Sequence, residues 1–326
     1  MDGAYQPNSD NQSRRRQLFQ PHHDERNERR CRQSPLRPSV DQPSLEDRQT
    51  SRVYLQKIAL GTVDAINNGI VDVSKTIKRT QFYPADSPEL ASWRQTPAKS
   101  SWYKSRPANI HIFAMSSIDG ARYFHAFYPN RRMSILNFAS ATRPGGGFLD
   151  GASAQEESIA RSSTLYVSLT SEAVRPFYAL HDHDEKGGFY SHAMIYSPNI
   201  HIFRDDAGGW LVPFQVDVLS CPAVNAGKAR KVYYNTPRDE LENVIQAHMT
   251  ERIARILALF ERQGARNLVL GSFGTGVFRN DVRAMAQIWR DLLIAPGTRF
   301  ASSFENVVFA IPHKRTREIF ESVCRP

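Results

Sequence analysis

Residues 135–157 read ILNFASATRPGGGFLDGASAQEE. An apolar run leads into three consecutive glycines at positions 145–147, and a polar segment with the composition of a helix start follows. Because glycine has no Cβ, a loop of this kind lets backbone approach a ligand closely and present N–H groups to an anion. The stretch therefore predicts a strand, a ligand-binding loop and a helix in succession.

The triple glycine does not match the common nucleotide-binding loops. It has neither the lysine and spacing of a Walker loop nor the GxGxxG spacing of a dinucleotide fold. Many strand-to-helix connections are rich in glycine, so the glycines alone do not identify the ligand. Their pattern nevertheless disfavours kinases, ATPases and dehydrogenases.

Two glutamates end the quoted stretch, and the residue pattern leaves two interpretations of the first one open. Ser153 and Glu156 match the capping box, in which the Glu bonds back to the N–H of the cap residue, and spacing favours this structural role over catalysis. Glu157 has no such structural explanation. Adjacent helical residues point about 100° apart, so the two carboxyls cannot flank one glycosidic bond as an acid/base pair. In a glycoside-cleaving enzyme, one would transfer the proton and the other would hold substrate.

A second glycine loop follows another apolar run, in residues 269–281, which read VLGSFGTGVFRND. Two such loops at the carboxyl ends of strands could hold the two ends of a nucleotide diphosphate, the usual ligand position in open α/β sheets. Phe273 and Phe278 are candidates for stacking on a ring, although residue type favours a core position for each.

Apolar runs and amphipathic segments alternate along the rest of the chain. They predict an α/β domain over residues 44–326, with a mixed sheet sandwiched between helices and an added N-terminal helix bearing apolar residues from Val53 to Ile66. Strands are predicted at 110–115, 133–139, 193–195, 214–220, 268–271 and 307–311. Helices are predicted at 154–170, 239–263, 281–294 and 314–323, and loops at 87–106 and 181–188.

The first 43 residues are polar and have almost no aliphatic periodicity, so we expect a disordered tail. They also contain no apolar stretch of the kind found in secretory signals, and three widely spaced cysteines suggest neither disulfides nor a zinc site. We therefore expect an intracellular protein, nuclear or cytoplasmic, without a membrane span.

The net charge of +9 is concentrated in one segment, because residues 51–132 carry twelve Lys and Arg against five acids. A polyanionic substrate or partner would fit this segment, and so would a solvated basic face. No recognised nucleic-acid-binding module is present, so we expect no sequence-specific binding of nucleic acid.

Taken together, these residues resemble the microbial-type poly(ADP-ribose) glycohydrolase family. The resemblance rests on the GGG-x7-QEE motif and on its surroundings over roughly residues 45–325: the segments at 137–140, 194–198, 203–205 and 221–226, and the second glycine loop. It implies a macrodomain fold and cleavage of the ribose–ribose O-glycosidic bond in poly(ADP-ribose), as in ADP-ribosylation reversal and the DNA damage response. Poly(ADP-ribose) or ADP-ribosylated proteins would be the substrates of a monomer that needs no cofactor and no metal.

The same resemblance implies roles for individual residues. Glu157 would be the general acid that protonates the leaving oxygen and then activates water, and Glu156 would hold ribose hydroxyls. The residues implied to bind ADP-ribose are Asn137, Ser140, Gly145, Gly146, Gly147, Gln155, Gly274, Thr275, Gly276, Val277 and Phe278.

The chain departs from the family pattern at Arg143, where Asn is frequent, and in the second loop at Ser272, Phe273 and Thr275, where Trp and Cys are more frequent. Two other functions therefore remain open at this point: a macrodomain that binds ADP-ribose without turnover, and a hydrolase for a different ADP-ribosyl bond. The presence of both glutamates favours catalysis over binding alone.

Overall fold

The computed structural model describes residues 45–95, 106–129, 131–183 and 185–324. The tail predicted for residues 1–43 lies outside these residues and stays a prediction. None of the helices in the described ranges is long and apolar enough to cross a membrane.

The described chain contains one seven-stranded sheet in the order β1-β4-β5-β3-β6-β7-β2. The pairs β1–β4 and β4–β5 are antiparallel, and the remaining neighbours are parallel. The strands are β1 Gln81–Tyr83, β2 Asn109–Phe113, β3 Met133–Phe138, β4 Met194–Arg204, β5 Trp210–Cys221, β6 Asn267–Leu270 and β7 Asn306–Ala310.

Helices cover both faces of this sheet. They are α1 Leu45–Asn67, α2 Ser74–Arg79, α3 Pro88–Ala91, α4 Ser117–Phe127, α5 Gln155–Ser162, α6 Leu165–Leu169, α7 Arg175–His181, α8 Ala226–Val232, α9 Arg238–Arg262, α10 Val282–Trp289 and α11 Lys314–Cys324. Short 3₁₀ turns occur at Phe148–Asp150 and Glu172–Val174, and a π-helical turn at Arg290–Ile294.

The central strands are buried on both faces, which explains why their sequences lack alternation. Leu136 of β3 belongs to the same core cluster as Leu257 of α9 and Phe320 of α11. The adjacent Ile135 points to the opposite face and packs in a second cluster with Ile118 of α4. A strand enclosed by two helix layers needs apolar residues at successive positions. The predicted mixed sheet between helices is confirmed.

The structure differs from the predicted elements at several boundaries. The predicted helix 154–170 is broken at Ser163, which adopts an extended conformation and pairs with Ile202 of β4. The strand predicted at 193–195 continues through Pro198 to Arg204, with a register shift that accommodates the proline. Strand β1 was not predicted, since three residues are too short for a periodicity. The predicted loop 87–106 contains α3, and its residues 96–105 lie outside the described ranges.

Candidate active site

The first glycine loop leaves the carboxyl end of β3 and turns sharply before α5. Gly145 and Gly146 have φ values of +69° and +60°, a region that side chains rarely occupy. A Cβ on Gly145 would lie 3.0 Å from the Phe148 ring, whereas a Cβ on Gly146 would meet the carboxylates of Glu157 and Glu156. The absence of a side chain at Gly146 therefore creates the space in which the two acids lie.

Glu156 is 3% exposed and is held from two sides. Its Oε2 accepts a hydrogen bond from the Ser140 amide at 2.7 Å, and its Oε1 accepts one from Asn137 Nδ2 at 3.2 Å. Burial, with a smaller contribution from the neighbouring Glu157, raises the pKa of Glu156 to about 8 in spite of these donors. The carboxyl is therefore mainly protonated at neutral pH.

The capping-box interpretation of Glu156 is wrong. The cap residue of α5 is Ala154 rather than Ser153, and no side chain bonds the free amides there as a cap would. The carboxyl instead reaches across to the end of β3, where the Ser140 amide takes the place of the expected Ser153 amide as donor. This tertiary contact spans sixteen residues, so local spacing could not reveal it.

Glu157 occupies a different environment from its neighbour. Its side chain is partly exposed, and its Oε1 accepts a hydrogen bond from the Gly147 amide at 3.0 Å. The third glycine of the motif thus fixes one oxygen of this carboxyl and leaves the other without a described hydrogen bond. The arrangement places a proton donor or acceptor in the cleft with its orientation already set.

Two of the predicted substrate-binding residues serve the framework. Asn137 is fully buried, and its Nδ2 donates to Glu156 and to Ser220 Oγ. The side chain of Gln155 bridges the end of β3, because it accepts from the Phe138 amide at 2.8 Å and donates to the Leu136 carbonyl at 2.7 Å. Both residues therefore hold β3 and α5 together, with Asn137 lying behind Glu156.

The second glycine loop follows β6 and is organised around a buried asparagine. Asn280 Nδ2 donates to the carbonyls of Val224 and Gly274, and Gly274 has a φ of +76°. The amide of Thr275 already donates to the Ser272 carbonyl, but the amides of Gly274, Gly276 and Val277 make no hydrogen bond to any described residue. Three free amides in one loop form a site suited to an anion.

One cavity of about 730 Å³ brings the two loops together. Its lining includes Ser140, Gln155 and both glutamates from the first loop region, and Gly274 to Phe278 from the second. Gly145, Gly146 and Gly147 do not line this cavity. Phe273 is fully buried in the core, as its residue type favoured.

The residues that depart from the family pattern are divided between the cavity wall and positions outside it. Arg143 is 73% exposed, with its guanidinium 3.9 Å from the Asp150 carboxylate, and it does not line the cleft. Ser272 and Thr275 do line it. Of the residues that differ from the family pattern, Ser272 and Thr275 in the second loop are therefore closer to the cavity than Arg143 is.

Sequence reasoning did not name six polar residues of the cavity wall: Ser116, Ser117, Ser158, Asp206, His313 and Thr316. Ser116 and His313 each follow a parallel strand, β2 and β7, so their position at a carboxyl end was a usable signal. Asp206 lies in the β4–β5 hairpin turn, where no local pattern connects it to the glutamates.

The chain is similar to known proteins in sequence and in fold. A family model described as "Microbial-type PARG, catalytic domain" matches residues 59–205. The solved poly(ADP-ribose) glycohydrolase of Thermomonospora curvata is 33% identical with a TM-score of 0.71, over 82% of this chain and 98% of that one. This chain belongs to the microbial-type poly(ADP-ribose) glycohydrolase family.

Two further solved structures of glycohydrolases in this family contain ligands. The Thermomonospora curvata enzyme bound to the inhibitor ADP-HPD is 33% identical with a TM-score of 0.69, over 82% of this chain and 98% of that one. The Deinococcus radiodurans enzyme in complex with ADP-ribose is 33% identical with a TM-score of 0.68, over 77% and 96%. No curated protein sequence matches the chain. The family is a family of glycosidases, and this chain is an enzyme of that class.

Proposed function

We propose that this glycohydrolase cleaves the ribose–ribose O-glycosidic bond of poly(ADP-ribose) and releases ADP-ribose, with Glu157 as the general acid and base. The observation that carries the proposal is that Glu157 and the free amides of the second loop line one cavity. A substrate with a diphosphate next to its scissile ribose needs both groups within the length of one nucleotide.

The second loop binds the diphosphate in this proposal. The amides of Gly274, Gly276 and Val277 donate to phosphate oxygens, and the partly buried ring of Phe278 packs against the nucleotide. Thr275 contributes through its position in the cavity wall, because its amide is engaged within the loop. The scissile ribose then lies at the first loop, beside the glutamates.

Glu157 carries the proton chemistry. It donates its proton to the leaving ribose oxygen as the bond from that oxygen to the anomeric carbon breaks. The oxocarbenium-like carbon is stabilised by the nearby carboxylate and diphosphate, and water adds to it while returning a proton to Glu157. The hydrogen bond from Gly147 orients the carboxyl throughout this cycle.

Glu156 has a supporting role at the ribose. Ser140 and Asn137 hold its carboxyl rigidly, and it lines the cavity beside Glu157. Because its pKa is raised to about 8, Glu156 is mainly protonated at neutral pH and adds little negative charge to the site. A neutral carboxyl can still donate and accept hydrogen bonds, which suits it to hold ribose hydroxyls.

The test is incubation of the purified full chain with poly(ADP-ribose), followed by chromatography of the products. We expect ADP-ribose to accumulate, and absence of release from the polymer would contradict the proposal. In parallel, ADP-ribose at 100 times its Kd should stabilise the fold by about 2.7 kcal/mol, measured as a melting shift. ATP and NAD at equal concentration should give smaller shifts, because they lack a free ribose at the diphosphate end.

A further inference from the structure

The turn between β4 and β5 places a third carboxylate in the cavity wall. Asp206 Oδ2 accepts a hydrogen bond from Ser116 Oγ at 2.5 Å, and its Oδ1 accepts one from Ser158 Oγ. Asp206, Ser116 and Ser158 all line the cavity that contains the glutamates. One side chain thus connects a hairpin turn to the first turns of two helices, α4 and α5.

The turn itself is fixed by several contacts. The Gly209 amide donates to Asp205 Oδ1 at 2.7 Å, and the hydroxyl of Tyr54 on α1 donates to the Ala207 carbonyl at 2.8 Å. Gly208 has a φ of +88°, and a Cβ there would lie 2.7 Å from Ile58 of α1. Helix α1 therefore packs against the turn, and these contacts fix the backbone that carries Asp206.

The contacts of Asp206 act on the segment that carries Glu157. Ser158 follows Glu157 directly in α5, so its hydrogen bond restrains the backbone on the helical side of the catalytic carboxyl. Ser116 is also the N-terminal cap of α4, because its Oγ accepts a hydrogen bond from the Asp119 amide. The contacts of Asp206 therefore connect α5 to a second helix. On the other side of Glu157, the Gly147 amide restrains the carboxyl itself.

We propose that Asp206 is a positioning residue for Glu157. Through Ser158 and Ser116 it holds the first turn of α5 against α4 and the hairpin, and so sets where the carboxyl of Glu157 meets the leaving oxygen. This inference rests on the proposed role of Glu157 as the general acid. Asp206 transfers no proton and binds no part of ADP-ribose in this assignment.

A double-mutant cycle on the full chain tests the assignment with Asp206→Ala, Ser158→Ala and the double variant. We expect each single variant to lower kcat for poly(ADP-ribose) by roughly 10- to 100-fold, because small misplacements of a reacting group are costly. The double variant should lose no more than the more severe single variant, since both remove one contact. The KM and the Kd for ADP-ribose should stay unchanged.

Two further variants test whether the effect of Asp206 comes from its hydrogen bonds rather than from its charge or from the stability of α4. In Asp206→Asn, the side-chain oxygen can accept a hydrogen bond from one serine and the side-chain NH₂ can donate to the other. Most of the kcat that Asp206→Ala loses should therefore be retained in Asp206→Asn. Asp119→Ala removes an acid from the same end of α4 but keeps the backbone amide that donates to Ser116. Among the described residues the Asp119 carboxylate pairs with Arg122, so this variant should leave kcat unchanged.

Three outcomes would overturn the inference. A raised KM or Kd with unchanged kcat would make Asp206 a substrate contact, and a lower melting temperature with unchanged kcat would make it purely structural. Additive losses in the cycle would show that Asp206 and Ser158 act separately. An inactive wild type would contradict the proposed function instead, so the two failures are distinguishable.

Discussion

The two glycine loops follow neighbouring parallel strands, β3 and β6, yet their glycines serve different purposes. In the first loop, the glycines make room for side chains, because a Cβ on Gly146 would meet Glu157 and Glu156. In the second loop, an added Cβ on Gly276 would contact no heavy atom of the described residues within 4 Å, and the amides of Gly276 and Val277 make no hydrogen bond to those residues. The first loop leaves room for the carboxyls of Glu156 and Glu157, and the second loop has backbone amides available for a ligand. In the function that we propose, similar glycine content therefore serves a catalytic end and an anion-binding end of one cavity.

The environments of the acids sharpen this contrast. Glu156 is buried and its pKa is raised to about 8, whereas Glu157 is partly exposed and bonded to the Gly147 amide. Two carboxyls adjacent in sequence thus have different surroundings, which supports the separate tasks that we propose for them.

The largest loss of turnover should come from Glu157→Gln, which changes the proposed catalytic end of the cavity and leaves the second loop intact. Glutamine keeps an oxygen for the Gly147 amide but has no proton to transfer, so turnover should fall by about 10²- to 10⁴-fold. Binding of ADP-ribose and the melting temperature should match wild type. Glu172→Gln, at a surface glutamate that is 85% exposed, is the control for loss of charge. Equal turnover in the Glu157 variant and wild type would refute the assigned role.

The next effect concerns pH and Glu156. Its pKa is about 8 in the fold, against 4.5 for a solvated glutamate, so the folded protein keeps a proton that the unfolded chain releases. The contribution to the free energy of unfolding is full below pH 4.5 and declines by up to about 4 kcal/mol as pH rises to 8. Denaturant unfolding of wild type and Glu156→Gln from about pH 4.5 to 8.5 measures this difference. A stability difference that does not change with pH would contradict it.

Gly146→Ala should have a smaller but clear effect at the catalytic end. The new Cβ must displace the Glu157 carboxyl, and misplacement by about 1 Å can cost roughly 10²-fold in turnover. The φ of +60° adds a stability cost of about 1–2 kcal/mol. Single-turnover kinetics with saturating polymer would show a loss in the chemical step, and an unchanged rate would mean that the two acids tolerate the methyl group.

Gly276→Ala is the matched substitution in the second loop and should have the smallest effect. No heavy atom lies within 4 Å of the added Cβ, so stability should stay within about 0.5 kcal/mol of wild type. Any change should fall on ADP-ribose affinity, because the methyl group stands beside amides that we assign to the diphosphate. Calorimetric titration with ADP-ribose checks this, and a loss in kcat at saturation would show that the loops do not divide the tasks.

The sequence alone predicted both ends of this cavity. Residues 135–139 are apolar apart from Asn137, and residues 268–271 contain no polar side chain, as strands enclosed by two helix layers require. Each run is followed by glycines at the carboxyl end, where ligands bind. The identities of the two glutamates came from the QEE motif. Such features are local, and a strand, a turn and a helix start are each encoded within a few residues.

Only the tertiary structure decided which groups share the cavity and in what charge state. Glu156 does not act as a cap, because its carboxyl accepts a hydrogen bond from the Ser140 amide across the loop and not from its own helix end. Asp206 contacts Ser158, 48 residues away in the sequence, because the turn between β4 and β5 packs against both α5 and α1. Periodicity determines how a segment buries its own surface, but contacts between distant segments and the pKa shifts that burial causes depend on strand order and packing, which no local pattern contains.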